Sequence, residues 1–232
     1  MDFSNVVCVV TGASKGIGKT LASILASYNA SVIGVYNKTK CDNVNFDTYK
    51  CDISSEKNVK KLFKYVEEKY HSVDILVNCA ALCIDEEFEN KSADDFMDVL
   101  SVNLVGTFLM CKYLSKIMKK GSCIINISST DAQDTFSPIS MDYAASKAGV
   151  ENLTKNLAKI LQGIKVCALA PVWVDTQTVL EMNPNYLKEQ MDAHNQIELL
   201  RKEDVAMKII EIVINDDDYS SGDIVRMEKN YE

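Results

Sequence analysis

Proline and histidine are scarce in this chain: its 232 residues hold three prolines and two histidines, with a single tryptophan. No Pro/Gly-rich linker, internal repeat or low-complexity tract divides it, so one large domain with a full core is expected over residues 1–232. With so few histidines and no C-x-x-C, the eight cysteines offer no zinc-ligand spacing. Cys8, Cys51, Cys79, Cys123 and Cys167 lie in or beside apolar runs and read as buried, reduced thiols. Basic charge is also in deficit: 25 Lys+Arg against 33 Asp+Glu give a formal charge of −8. That balance gives no footprint for nucleic acid or an anionic membrane surface. No apolar run reaches the roughly 18 residues of a membrane span, and "MDFSNVVCVVTGAS" lacks the layout of a signal peptide, so a cytoplasmic protein is expected.

What the chain does have is alternation. The runs 6–10, 31–36, 74–79, 122–128 and 164–169 are short and nearly continuously apolar, as strands covered on both faces are. Residues 46–51 and 223–227 are weaker candidates for two more strands. Helical patterns fall between them at 17–28, 55–70, 92–119, 143–161 and 203–214. In the third of these, Ser92 and Asp95 have the spacing of a capping box. Strand and helix alternate throughout, which predicts an α/β fold with right-handed crossovers. Pro171 and Pro184 flank the irregular stretch 171–200, the place to look for a substrate lid.

"VVTGASKGIGKTLASIL" follows the first strand directly and runs into a helix. Gly12, Gly16 and Gly18 permit a tight turn and close approach of a ligand, while the helix N-terminus offers free amides to a pyrophosphate. The spacing is G-x-x-x-G-x-G rather than the commoner G-x-G-x-x-G. Further on, "DYAASKAG" sets Tyr143 four residues before Lys147, on one helical face. The glycine loop, Asp52, Asn78, Ser129 and Pro171 each fall just past a different strand, where open α/β sheets bind ligands.

Taken together these motifs resemble the short-chain dehydrogenase/reductase family, over about residues 5–227 and in the family's order. The match rests on "TGASKGIG" at 11–18, "NCAA" at 78–81, Asn103 in "VNL", "NISS" ending at Ser129, Tyr143-x-x-x-Lys147 and "APVWVDT" at 170–176. The resemblance implies a Rossmann fold, a doubly wound seven-stranded parallel sheet with helices on both faces. It implies Ser129, Tyr143, Lys147 and Asn103 as the catalytic set, with Asn103 holding a water that connects Lys147 to solvent. For a nicotinamide cofactor it implies contacts from Gly12, Ser14, Lys15, Gly16, Ile17 and Gly18, from Tyr36, Asn37 and Lys38, and from Asp52 and Ile53 beside the adenine. Asn78, Ala80, Tyr143, Lys147, Pro171, Val174 and Thr176 complete that set.

The chemistry expected of such a crevice is carbonyl reduction. A nicotinamide gives hydride to carbon, and the oxygen then needs a proton. Tyr143 is suited to supply it if its pKa, about 10 when free, is lowered. A lysine ammonium about 4 Å away at an effective dielectric near 20 contributes about 4 kcal/mol, or roughly three pKa units at most. Ser129 would hold the carbonyl oxygen against Tyr143. At the end of the second strand no acid awaits a ribose 2′-hydroxyl; Tyr36 and Asn37 stand there, and Lys15 and Lys38 suit a 2′-phosphate. NADP(H) is therefore preferred, with NAD(H) the alternative, and no metal is called for.

Two departures from the family pattern stand out. Val172 replaces the usual glycine and would crowd the nicotinamide or reshape the pocket floor, and "SGDIVRMEKNYE" at 221–232 lacks the usual V-D-G-G ending. The family's common assemblies make a homodimer or homotetramer the expectation, the altered tail bearing on the latter. The overall similarity is greatest to 3-oxoacyl-[acyl-carrier-protein] reductases, so the expected substrate is a small carbonyl compound, free or carried on acyl carrier protein. The rival reading is a non-catalytic NADP(H)-binding regulator or scaffold. Nucleotide-sugar dehydration or epimerisation is disfavoured, because little chain remains after the sheet to build a substrate domain.

Overall fold

A computed structural model describes residues 1–133, 138–193 and 195–228. The apolar runs become strands of one sheet: β1 Val7–Thr11, β2 Ser31–Tyr36, β3 Asp47–Lys50, β4 Val73–Asn78, β5 Met118–Ile127, β6 Lys165–Pro171 and β7 Ile224–Met227. Their order is β3-β2-β1-β4-β5-β6-β7, every neighbouring pair parallel. Register explains why the runs do not alternate with polar residues. Ile33, Val9, Leu76, Ile124 and Val166 stand side by side across five strands and all enter one apolar layer. The next row, Val10, Val77, Ile125 and Cys167, enters the layer on the other face. Each face therefore needs an apolar side chain, and each such burial stabilises by roughly 1.5–3 kcal/mol. The two weakest strand signals, β3 and β7, are the two edges of the sheet, where burial is least.

Helices α1 (Gly16–Ser27) and α8 (Lys202–Ile214) cover one face with Leu21, Leu25, Val205 and Ile209. The other is covered by α2 (Glu56–Tyr70), α4 (Thr107–Leu114) and α5 (Met141–Ile160), through Leu62, Val66, Met110, Leu114 and Leu157. All eight cysteines are free thiols. Of the five read as core, only Cys79 is half-buried, the other four being buried; Cys83, not one of the five, is exposed.

The helix expected over 92–119 is not one α-helix. Ser92 caps α3 (Ala93–Leu100) in the expected capping box with Asp95. A π-helical turn, Ser101–Gly106, then precedes α4, and a 3₁₀ turn Ser115–Ile117 ends the run. The chain is already in β5 at Met118, because Met118 bridges to Val73 across a bulge. The π turn holds Asn103 and brings Gly106 against Ile53, where an added Cβ would lie 2.8 Å from that side chain. By length and composition Ala93–Ile117 would suffice to cross a bilayer, yet half of its most apolar window is buried in this fold.

The capping box gives a stability prediction. Ser92→Ala removes the side-chain acceptor of the Asp95 N–H and is expected to cost about 1 kcal/mol in urea unfolding. Leu76→Ala, at a wholly buried position on the central row, is expected to cost about 2–5 kcal/mol in the same measurement.

Candidate active site

The strand order reverses between β1 and β4, so the chain leaves their carboxyl ends toward opposite faces and a crevice opens there. The Thr11 hydroxyl grips both ends, accepting the N–H groups of Cys79 and Ala80 at 3.0 Å each. The backbones come so close that a Cβ on Gly12 would sit 2.8 Å from the Ala80 Cα, and Gly12 has φ +69°. Gly18, one turn into α1, packs against the Gly12 carbonyl, 2.5 Å from where its Cβ would be. No side chain caps α1 and no acid lies in its first turn, so its terminal amides face the crevice. This cradle suits a pyrophosphate.

The crevice has a volume of about 730 Å³. Its walls include, from the first loop, Gly12, Ser14, Lys15, Gly16, Ile17 and Gly18; from the end of β2, Tyr36, Asn37 and Lys38; and then Asp52, Ile53 and Ala80. Pro171, Val174 and Thr176 close the far side. Asp52 turns Oδ1 back to accept the backbone N–H and hydroxyl of Ser54, at 3.0 and 2.7 Å. Beyond Asn37 and Asp52 a shallower hollow of about 340 Å³ adds Lys50 and Lys61. Sequence reasoning missed both lysines, because only the fold brings α2 beside the end of β3.

Ser129, Tyr143 and Lys147 meet in the same crevice. Ser129 follows β5 and caps a 3₁₀ turn, its hydroxyl accepting the Asp131 N–H at 3.2 Å. Tyr143 and Lys147 project from the first two turns of α5, and Ser129 is near enough to act against the rise in the Tyr143 pKa. The Lys147 Nζ lies 5.3 Å from the centre of the Tyr143 ring and donates to the Ile127 carbonyl at 2.7 Å. The expected lowering of the phenol pKa is not present in this arrangement. Burial pushes Tyr143 up, and the nearby Asp131, Cys83 and Cys79 add to the rise, against the Ser129 hydrogen bond. Burial also lowers Lys147 to about 8. An ammonium this close to losing its proton, set over the ring instead of against the hydroxyl, cannot dominate the phenol as a fully charged contact at 4 Å would.

Two of the expected site residues do not face the crevice. Asn103 uses its side chain to pin the chain after β4: it accepts the Leu82 N–H at 2.7 Å and donates to the Leu82 carbonyl at 2.9 Å and to Ser146 Oγ at 3.0 Å. Both amide hydrogens and one acceptor site of Oδ1 are thus spent within the fold, and Asn103 does not line the crevice in which the resemblance places its water. Asn78 lies beneath the floor, donating to Asn126 Oδ1 at 2.8 Å and to Cys111 Sγ at 3.3 Å.

The stretch 171–200 is anchored at its two ends. Val174 bridges to Leu200, and the wholly buried Gln196 accepts the Trp173 N–H and donates to the carbonyls of Trp173 and Glu198. Between them α6 (Gln177–Leu180) and α7 (Pro184–Ala193) bury no residue. The covering helix expected over "NYLKEQMDAH" is α7; its His194 lies outside the described residues. Lys15 donates to Thr178 Oγ1 at 2.9 Å, so the glycine loop touches this segment. Trp173, Met182 and Tyr186 of the segment, with Leu82 and Cys83, also line the crevice. These five carried no motif that would have singled them out. Val172 also lines the crevice, yet its side chain joins the core layer and its N–H pairs with the Met227 carbonyl at 3.1 Å. It is thus accommodated as part of the floor. The end of the altered tail, 229–232, lies outside the described residues.

A crevice lined by both a glycine cradle and a Ser-Tyr-Lys set is the form found in nucleotide-dependent oxidoreductases. A family model described as Enoyl-(Acyl carrier protein) reductase matches residues 12–229, and the chain belongs to the short-chain dehydrogenase/reductase family. It is 31% identical to the 3-oxoacyl-[acyl-carrier-protein] reductase FabG of Thermotoga maritima over 97% of both chains. To carbonyl reductase family member 4 of Xenopus laevis it is 32% identical, over 80% of this chain and 82% of that one. A short-chain dehydrogenase of Burkholderia cenocepacia, solved in complex with NADP, superposes with a TM-score of 0.89 at 23% identity over 99% of both chains.

The depressed Lys147 pKa fixes the sign of a pH effect. In the unfolded chain this lysine keeps its proton to about 10.5, so between pH 8 and 10.5 the unfolded state binds more protons and stability gains as pH rises. The parent is expected to gain on Lys147→Met by up to about 1.4 kcal/mol per pH unit across that window, read as the difference of their urea midpoints at pH 7.5, 8.5 and 9.5. A constant difference would place the lysine in water.

Proposed function

We propose that this oxidoreductase transfers hydride between NADP(H) and a small carbonyl compound, reducing a 3-oxoacyl chain or another small ketone. The observation that carries the reading is the convergence of Ser129, Tyr143 and Lys147 on the same crevice that the glycine cradle lines. When bound, the nicotinamide supplies the hydride. Ser129 and Tyr143 line the same crevice, and a carbonyl oxygen between their hydroxyls is the reading they support. There Ser129 orients the oxygen and Tyr143 delivers the proton as negative charge develops. Burial keeps the phenol neutral at pH 7, so its proton is in place, and transfer depends on the negative charge that develops on the carbonyl oxygen. Lys147 holds the ring from below and lends positive charge when protonated.

The 2′-phosphate is supported by the absence of an acid at Tyr36 and Asn37 and by Lys15 and Lys38 in the wall. Whether the carbonyl is free or carried on acyl carrier protein is decided by a substrate screen; the FabG and carbonyl reductase likenesses support a ketone in either case. The assay is oxidation of NADPH or NADH with a panel of ketones, 3-oxoacyl thioesters and aldehydes. NADPH is expected to give the higher kcat/KM, and Tyr143→Phe to lose 10²-fold or more in turnover with NADPH binding kept. Faster reduction with NADH, or parent turnover in Tyr143→Phe, would contradict the respective assignment.

The part of 171–200 between its anchors acts as the lid. Amide exchange is expected to slow across 177–193 on adding NADPH, while 171–175 and 198–200 exchange slowly throughout. Equal exchange at 177–193 with and without NADPH would remove the lid from the mechanism.

A further inference from the structure

One wall of the crevice is a strap without helix or strand, residues 79–92, and what holds it deserves the same accounting as the catalytic set. Thr11 grips Cys79 and Ala80, Asn103 grips Leu82 from both sides, and the Glu86 N–H reaches the Ile139 carbonyl at 3.0 Å. The remaining tie is ionic. Lys91 turns back along the strap, donating from Nζ to the Ile84 carbonyl and to Asp142 Oδ2, the latter at 3.0 Å. Neither side chain reaches water: their exposures are 4% and 0%. The second oxygen of Asp142 accepts the N–H of Tyr143 itself at 2.9 Å. One ion pair therefore joins the strap, between Cys83 and Asp85 of the crevice wall, to the residue immediately before the proton donor.

A buried ion pair is a poor way to gain stability, since desolvation consumes most of the attraction and an apolar pair of similar volume often does as well. Its distinctive property is direction. Three hydrogen-bonded contacts at one ammonium and one carboxylate admit a single placement of the strap relative to α5. The negative end of the pair also sits in the first turn of α5, where the helix dipole favours it.

We propose that Lys91 and Asp142 are positioning residues: their buried ion pair sets the distance between the strap and Tyr143, and so the geometry in which a carbonyl meets Ser129 and Tyr143. The inference rests on the ketoreductase reading above. It distinguishes this pair from a merely structural one, because a structural pair is replaceable by any neutral couple that restores stability.

The test is Lys91→Met combined with Asp142→Asn, which leaves no unpaired charge. The urea midpoint is expected to stay near the parent value and the NADPH dissociation constant to stay within threefold. The kcat/KM for the best carbonyl should fall at least tenfold, and amide exchange at 82–86 should accelerate at least tenfold. Recovery of parent kcat/KM in this neutral pair overturns the proposal. A second variant, Asp142→Glu, keeps the charge and lengthens the tie by one methylene; at least a fivefold loss of kcat/KM with NADPH binding unchanged supports positioning, and parent kcat/KM overturns it. If the parent reduces no carbonyl at all, the ketoreductase reading fails on its own. The exchange measurement still decides the tie, unchanged exchange at 82–86 in the neutral pair counting against it.

Discussion

Two hydrogen bonds to one hydroxyl organise the rest of this molecule. Thr11 ends β1, and its Oγ1 takes the first two amides beyond β4. Paired strands that part company at their carboxyl ends leave backbone amides without partners, and such amides are costly to bury unpaired. Thr11 satisfies two of them and fixes the width of the gap that the glycine loop must cross. The close approach of Gly12 to Ala80, the start of α1 and the direction of the strap all follow from that grip. A longer side chain at 11, or none, would leave the crevice with no defined floor.

The second organising feature lies below that floor. Asn78 donates to Asn126, Asn126 donates to Thr154 at 2.9 Å, and Thr154 donates to the Val150 carbonyl at 2.8 Å. Polar groups in a core are expensive unless paired, and where paired they specify one arrangement. This chain of amides and hydroxyl locks α5 against β4 and β5. Thr154 stands about three turns beyond Tyr143 on the same side of the helix as Lys147, so the lock aims those two side chains although it touches neither.

Much of this was legible in the residues. The five buried strands announced themselves because register places apolar side chains on both faces, and the edge strands were faint for the converse reason. The glycine loop, Ser129, Tyr143 and Lys147 were legible because their spacing is local. Asn78 and Asn103 were legible as motif positions but not in their surroundings, since the groups they serve, Asn126 and Leu82, are remote in sequence. The π turn could not be read from a periodicity that differs by one residue over 25. Gln196, Lys91 and Asp142 carried no pattern at all; each matters through a partner that only tertiary structure supplies. The direction of the Tyr143 shift was misjudged for a related reason: a pairwise charge is easily imagined from spacing, whereas burial is a property of everything around it.

The double clamp of Gln196 on Trp173 has an optical consequence. This is the only indole in the chain, and it is held by its own backbone in the wall of the crevice, half-exposed beside Val172. Its emission therefore reports one place and no other. Any molecule that displaces water from that wall changes the polarity around a single fluorophore. The protein carries a built-in spectroscopic gauge of its own occupancy, free of the averaging that several tryptophans would impose.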